Sequence, residues 1–189
     1  MDWLLAGLGN PGADYARTRH NAGFWTLQTL ADRAGASLRM EKRWRCLATR
    51  LHEQGLELGL CLPQDFMNRS GGPVRSMAAF YKVPVERILV IHDELDLPPG
   101  TARLKWGGGH GGHNGLRDLD RVFGTRDYWR LRIGIGHPGH KDAVIGYVLG
   151  IPTVTEKTRI DEAIARSLAV LPDFLNGRTD AAQKTLHSD

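Results

Sequence analysis

An α/β fold, with a central twisted mixed β-sheet flanked by helices, follows from three features of the sequence. Short apolar runs that read as strands alternate with segments of helical period, the order that builds a sheet covered by helices. Two neighbouring strand-like runs meet across "HEQG", a hairpin signal that makes the sheet mixed rather than purely parallel. No internal repeat or linker breaks the pattern. The 189 residues are therefore expected to form a single domain over residues 1–178, with a polar tail over 179–189 that is expected to fray.

The first strand covers about Trp3–Leu8, an apolar run closed by glycine and proline. A helix over about Ala22–Ala34 follows and buries Phe24, Leu27, Leu30 and Ala31. Strands near Arg45–Leu51 and Leu56–Leu62 form the hairpin. Val74, Met77, Ala78 and Tyr81 recur at i, i+3, i+4 and i+7, one face of a further helix. Strands near Ile88–His92 and Ala102–Trp106 come next, and Asn114 before "GLRDLDRVF" is the expected N-cap of a helix. A strand over Trp129–Ile135 precedes the last helix, whose buried face is Ile160, Ala163, Ile164, Ser167, Leu168 and Leu171. Pro152 and a Thr153–Glu156 capping box mark where that helix begins.

Composition bounds the function. Apolar content of 41% and charged content of 24% are those of an ordinary soluble globular protein. Cys46 and Cys61 lack C-x-x-C spacing and each sits in a strand-like run, which reads as structural thiols in a reducing cytoplasm. The N-terminus carries no signal-peptide series and no apolar run is long enough to cross a bilayer. A cytoplasmic location is expected. The net charge of +4 is unevenly spread: Thr101–Lys141 alone holds eight basic residues against three acids. Charge counting fits either a solvated face or a surface that contacts phosphates.

The opening turn "GLGNPG" has the surface form of a dinucleotide fingerprint but not its context. In that site the third glycine opens a helix, and an acid some twenty residues on ends the next strand. Here "ADYARTRHN" follows, and Asp32 falls inside the expected helix. A nicotinamide site is not expected, and no G-x-x-x-x-G-K-[ST] is present for a P-loop. Four polar loops remain: "GNPGADYARTRHN", "QDFMNRSGG", "IHDELDLPPG" and "GGGHGGHNG". His20 follows the first strand and Asp93 ends the fourth. If those strands are parallel neighbours, the carboxylate can fix one imidazole nitrogen and leave the other free as a base. Asn10, Asn68 and Asn114 stand in three of the loops and offer uncharged donors for a carbonyl or a developing oxyanion. No serine or cysteine has a setting for a covalent nucleophile, so activated water is the simpler attacker. His110/His113 and His137/His140 show H-x-x-H spacing, with His92 and Asp93 as further ligand types. Without H-E-x-x-H, and in loops this rich in glycine, no metal site is expected.

Together, "GLGNPGADYARTRHNAG", "FMNRSG", "HDELDLPPG", "GGGHGGHNGLRD" and "RLRIGIGHPG" resemble bacterial peptidyl-tRNA hydrolase, in order from Leu4 to about Leu175. The resemblance implies cleavage of the ester between a peptide and the 3′ ribose of tRNA, by a cytoplasmic monomer with no cofactor, metal or membrane partner. It implies His20 as the base for water, Asp93 as its partner, and Asn10 as the third candidate catalytic residue. It further implies that Asn68, Asn114, Tyr15 and Met67 meet the substrate, and that Lys105, Arg132 and the nearby Arg103 contact tRNA phosphate at the acceptor stem. The family alternative is a non-catalytic RNA-binding protein on the same scaffold. For the hydrolase reading, selectivity for peptidyl over aminoacyl esters would come from hydrogen bonds to the first peptide group.

Overall fold

Seven strands form one mixed sheet in the computed structural model, which describes residues 1–188. They are β1 (Trp3–Gly7), β2 (Arg39–Glu41), β3 (Cys46–Glu53), β4 (Leu56–Pro63), β5 (Ile88–Glu94), β6 (Ala102–Trp106) and β7 (Trp129–Gly134). Their order across the sheet is β2-β3-β4-β1-β5-β7-β6. The helices are α1 (Ala22–Arg33), α2 (Gly71–Phe80), α3 (Asn114–Phe123), α4 (Val144–Val148), α5 (Val154–Leu175) and α6 (Thr179–His187).

Four strands, β4, β1, β5 and β7, run parallel in the centre, and antiparallel β3, β2 and β6 extend the two sides. Successive residues of a strand point to opposite faces, and β1 shows the result. Trp3 and Leu5 enter a core shared with α1, α5 and α6, while Leu4 and Ala6 enter one shared with α2 and α3. The β3–β4 hairpin turns on Gln54 and Gly55, with φ of 47° and 83°. Both are positive, as a two-residue type I′ turn requires. The parallel run brings the C-terminal ends of β1, β4, β5 and β7 to one edge of the sheet, where loops gather in such folds.

Helix α1 lies unusually close to this edge. A Cβ on Gly23 would meet the Ile91 carbonyl oxygen at 2.3 Å and the Leu8 nitrogen at 2.5 Å, and one on Gly7 would meet the Gly23 oxygen at 2.5 Å. Gly7 and Gly9 of the opening turn thus serve helix-to-strand packing, Gly9 against the Phe24 ring, rather than a phosphate cradle.

Two expectations are corrected. Asn114 is not the N-cap of α3 but its first residue. His113 is the cap, its Nδ1 accepting from the N–H groups of Gly115 and Leu116 at 3.1 and 3.3 Å. An imidazole nitrogen does what an Asn oxygen would have done. The tail from Thr179 is a helix rather than a frayed end. Ala182 and Leu186, four apart, are each 1% exposed. Gln183 donates to the Leu104 oxygen at 3.1 Å, and His187 Nε2 accepts from the Leu104 N–H at 3.0 Å. The outward N–H and carbonyl of Leu104, in the middle of the edge strand, are thereby satisfied. Two short elements, β2 and α4, have no counterpart in the sequence pattern because neither is long enough to show a period.

Leu186→Ala tests whether α6 belongs to the folded body. Loss of a fully buried leucine costs about 2–5 kcal/mol, and about 2–4 °C per kcal/mol for a chain of this size. A thermal melt should therefore fall by several degrees; an unchanged midpoint would show that α6 does not contribute.

Candidate active site

His20 lies in the single 3-10 turn Arg19–Asn21 that leads into α1. Because α1 presses on β1 and β5, this turn sits against the end of β5, where Asp93 is 3% exposed. The condition set by the sequence is met: β1 and β5 are parallel neighbours, with Ala6 opposite Val90 and Gly7 opposite Ile91. His20 Nδ1 and Asp93 Oδ2 are 2.8 Å apart. The other carboxylate oxygen, Oδ1, is 2.8 Å from His113 Nε2. Since His113 Nδ1 accepts the two N–H groups at the start of α3, its proton is on Nε2, which donates to Asp93. One carboxylate therefore carries an imidazole on each oxygen.

Charge follows from this arrangement. Burial pushes the His20 pKa down, but the Asp93 carboxylate, through its charge and its hydrogen bond, raises it more, leaving it above the ordinary 6.5. For Asp93, burial favours the neutral acid. The charges and hydrogen bonds of His20 and His113 outweigh that and hold its carboxyl well below the usual carboxylate range. His92, one residue earlier on β5, behaves oppositely. Burial, reinforced by neighbouring His113, lowers it to about 3, and its Nδ1 donates to the Asp93 carbonyl at 2.8 Å. An ionised Asp93 fixes the proton of neutral His20 on Nδ1 and leaves Nε2 as an acceptor.

The pair opens on a cleft of about 750 Å³ lined also by Asn10, Tyr15, Met67, Asn68 and Asn114. Asn10 is 6% exposed, and its Oδ1 accepts from the Met67 N–H at 2.7 Å. With that oxygen occupied, Nδ2 is what Asn10 has left to offer, a pair of donors. Asn114 Oδ1 accepts from Arg117 at 3.3 Å. Tyr15 meets Phe66 edge-on, the ring centroids 5.9 Å apart, at the same mouth. Leu95, Val144, Ile145, Val148 and Leu149 give the cleft an apolar wall.

The basic stretch resolves into different jobs. Arg103 pairs with Arg132 across β6 and β7, and Lys105 with Arg130, so four cations share one face of the sheet. Lys105, Arg130 and Arg132 reach the cleft lining, whereas Arg103 does not. Arg130 is 2% exposed and donates to the Gly108 and Gly109 carbonyls at 2.8 Å each; it holds the glycine-rich loop. Arg132 donates through Nε to Glu94 at 2.8 Å. Lys105 is exposed.

Ligand types for a metal do converge: His20, Asp93 and His113 place their candidate atoms within 4.8 Å of one another. Yet His113 Nε2 is the donor to Asp93, and both carboxylate oxygens are in direct hydrogen bonds, so Nε2 of His20 is the acceptor the trio still offers to the cleft. The two H-x-x-H motifs have another explanation. His110, His113, His137 and His140 each accept, through Nδ1, from the backbone N–H two residues on, the local turn bond more often made by Asn or Asp.

A family model described as peptidyl-tRNA hydrolase matches residues 4–189. The chain belongs to the peptidyl-tRNA hydrolase family. It is 84% identical over 189 residues, all of both chains, to the peptidyl-tRNA hydrolase of Acidithiobacillus ferrooxidans. With that of Neisseria meningitidis it shares 49% over 185 residues, 98% of this chain and 96% of the relative. The solved peptidyl-tRNA hydrolase of Acinetobacter baumannii superposes with a TM-score of 0.94 at 45% identity, covering 98% of this chain and 94% of that one.

For a peptidyl-tRNA hydrolase the site contains three residues that sequence reasoning did not single out. In the sequence His113 stands out only as a ligand type, and Asn21 and Phe66 only as parts of the quoted motifs. For His113 a signal existed, since His-x-Gly repeats through the glycine-rich loops. Asn21 pairs with the backbone of Asn10, eleven residues earlier, a contact that spacing alone does not reveal.

Imidazole NMR resonances followed against pH test the electrostatics. His20 should titrate with a midpoint above 6.5, and His92 should show no transition between about pH 5 and 8. A His92 midpoint near 6.5 would contradict the buried, neutral assignment.

Proposed function

We propose that this chain hydrolyses the ester joining a peptide's C-terminal carbonyl to the 3′-terminal ribose of tRNA, releasing peptide and reusable tRNA. The observation that carries the reading is the buried His20–Asp93 pair, whose imidazole faces a cleft with neutral amide donors beside it and cations at its rim. His20 Nε2 takes a proton from water, the water oxygen attacks the ester carbonyl, and the bond to the ribose oxygen breaks. The same nitrogen returns the proton to the leaving oxygen. Asp93 fixes the tautomer and offsets the charge of the imidazolium. Asn10, its oxygen taken by Met67, donates Nδ2 to the carbonyl that becomes the oxyanion. Asn68, Asn114, Tyr15 and Met67 position the peptide and the 3′ adenosine.

Lys105 and Arg132, with Arg103 behind them, contact acceptor-stem phosphates. Such contacts position an RNA without specifying its sequence, as an enzyme serving every tRNA needs. Neutral amides beside the reacting ester avoid a charge that would compete with these cations for phosphate. The enzyme works as a cytoplasmic monomer without metal or other cofactor. The thiols Cys46 and Cys61, both free and buried, support a reducing compartment, and Asp93 in its present bonding supports the metal-free route.

Release of an N-acetyl-aminoacyl group from its tRNA, with unblocked aminoacyl-tRNA alongside and chelator throughout, tests the reading. Cleavage of the blocked ester alone is expected. Tight tRNA binding with no cleavage of either would replace it with a binding module, and chelator inhibition would replace the metal-free mechanism. His20→Ala should lower turnover by about 10²–10⁴-fold with the melting temperature retained. Near-full turnover would remove His20 as the base. Lys105→Ala should weaken tRNA affinity and reduce the salt slope by about one; an unchanged slope would take Lys105 out of the phosphate contacts.

A further inference from the structure

Asn21 closes the 3-10 turn that holds His20 and stands at the N-cap of α1. An Asn there ordinarily accepts from an N–H of the first helical turn, a bond worth about 1 kcal/mol. The Asn21 side chain makes no such bond. Its Oδ1 instead accepts from the Asn10 N–H at 2.8 Å, and its Nδ2 donates to the Asn10 carbonyl at 3.0 Å. Both ends of one amide thus pair with both backbone groups of a residue eleven positions earlier, at a site where Asn21 is 1% exposed.

We propose that Asn21 is a positioning residue that acts through Asn10 to hold its Nδ2 at the reacting carbonyl, an inference that rests on the role given to Asn10 above. The geometry is closed on two sides. Asn21 fixes the Asn10 backbone, and the Met67 N–H fixes the Asn10 side-chain oxygen. Without Asn21 the polypeptide between Leu8, bonded to Ile91, and Tyr15, bonded back to Gly12, loses the tie on the Asn10 backbone and keeps the side-chain bond to Met67. Because His20 and Asn21 are consecutive in one turn, the proposed base and the support for the carbonyl donor are set by the same few backbone dihedrals. Misplacement by about 1 Å can cost about a hundredfold in rate.

A double-mutant cycle on N-acetyl-aminoacyl-tRNA hydrolysis separates positioning from simple stabilisation. Asn21→Ala should lower kcat by about tenfold to a hundredfold with KM and the pH dependence of kcat little changed, because the phosphate contacts and the His20–Asp93 pair are untouched. Combined with Asn10→Ala, it should add less than about a twofold further loss. Losses that multiply in the double variant, or wild-type turnover in Asn21→Ala, would overturn the proposal. Full turnover in Asn10→Ala would instead overturn the role of Asn10 itself. Should Asn21→Ala fail to fold, Asn21→Asp gives the same cycle, since it keeps the acceptor for the Asn10 N–H and sets a carboxylate against the Asn10 carbonyl. Failure of both to fold would also overturn the proposal, because the bonds would then hold the fold and not the side chain of Asn10.

Discussion

A carboxylate buried as deeply as Asp93 is costly in the charged state unless charge and hydrogen bonds compensate for lost water. Here both oxygens are bonded to imidazoles, from the turn before α1 and from the cap of α3. The bonds join pieces of chain 73 and 20 residues from Asp93. The sheet edge, the start of α1 and the glycine-rich loop are therefore fixed relative to one another at the point where the chemistry is proposed.

Close packing makes the arrangement possible. Gly7 and Gly23 let α1 approach β1 and β5 to within backbone contact, bringing His20 over the end of β5. On the far side, His113 caps α3 with one nitrogen and reaches Asp93 with the other, so helix initiation and site assembly share one ring. Away from this neutral and anionic centre, Lys105 and Arg132 place positive charge on the cleft lining. The separation suits a substrate whose reacting ester is uncharged and whose bulk is a polyanion.

Much of this was legible in the sequence because it lies in local patterns. The period of Val74–Tyr81 and the Thr153–Glu156 box predicted helices that are present, and a hairpin across Gln54 and Gly55 follows from the residue types in the turn. The family motifs named His20, Asp93 and the asparagines, and the parallel pairing of β1 and β5 supplied the adjacency that spacing alone left conditional. What stayed hidden depends on contacts between distant segments. α6 offers two apolar positions four apart, too few for a period, and its polar residues find their partners on β6. The capping role went to Asn114 by propensity, whereas tertiary context gave it to His113. Charge counting could not distinguish buried Arg130, which holds a loop, from exposed Lys105.

The pH–rate profile of Asp93→Asn tests most directly the claim that this carboxylate sets the state of His20. With the charge gone, burial is the main influence left on the imidazole, and the acid limb of the profile should move to lower pH while kcat falls. An amide at this position can also donate to Nδ1 and put the proton on the wrong nitrogen, which deepens the fall. An unmoved acid limb at a near-normal rate would contradict the account, because His20 would then owe neither its protonation nor its tautomer to Asp93.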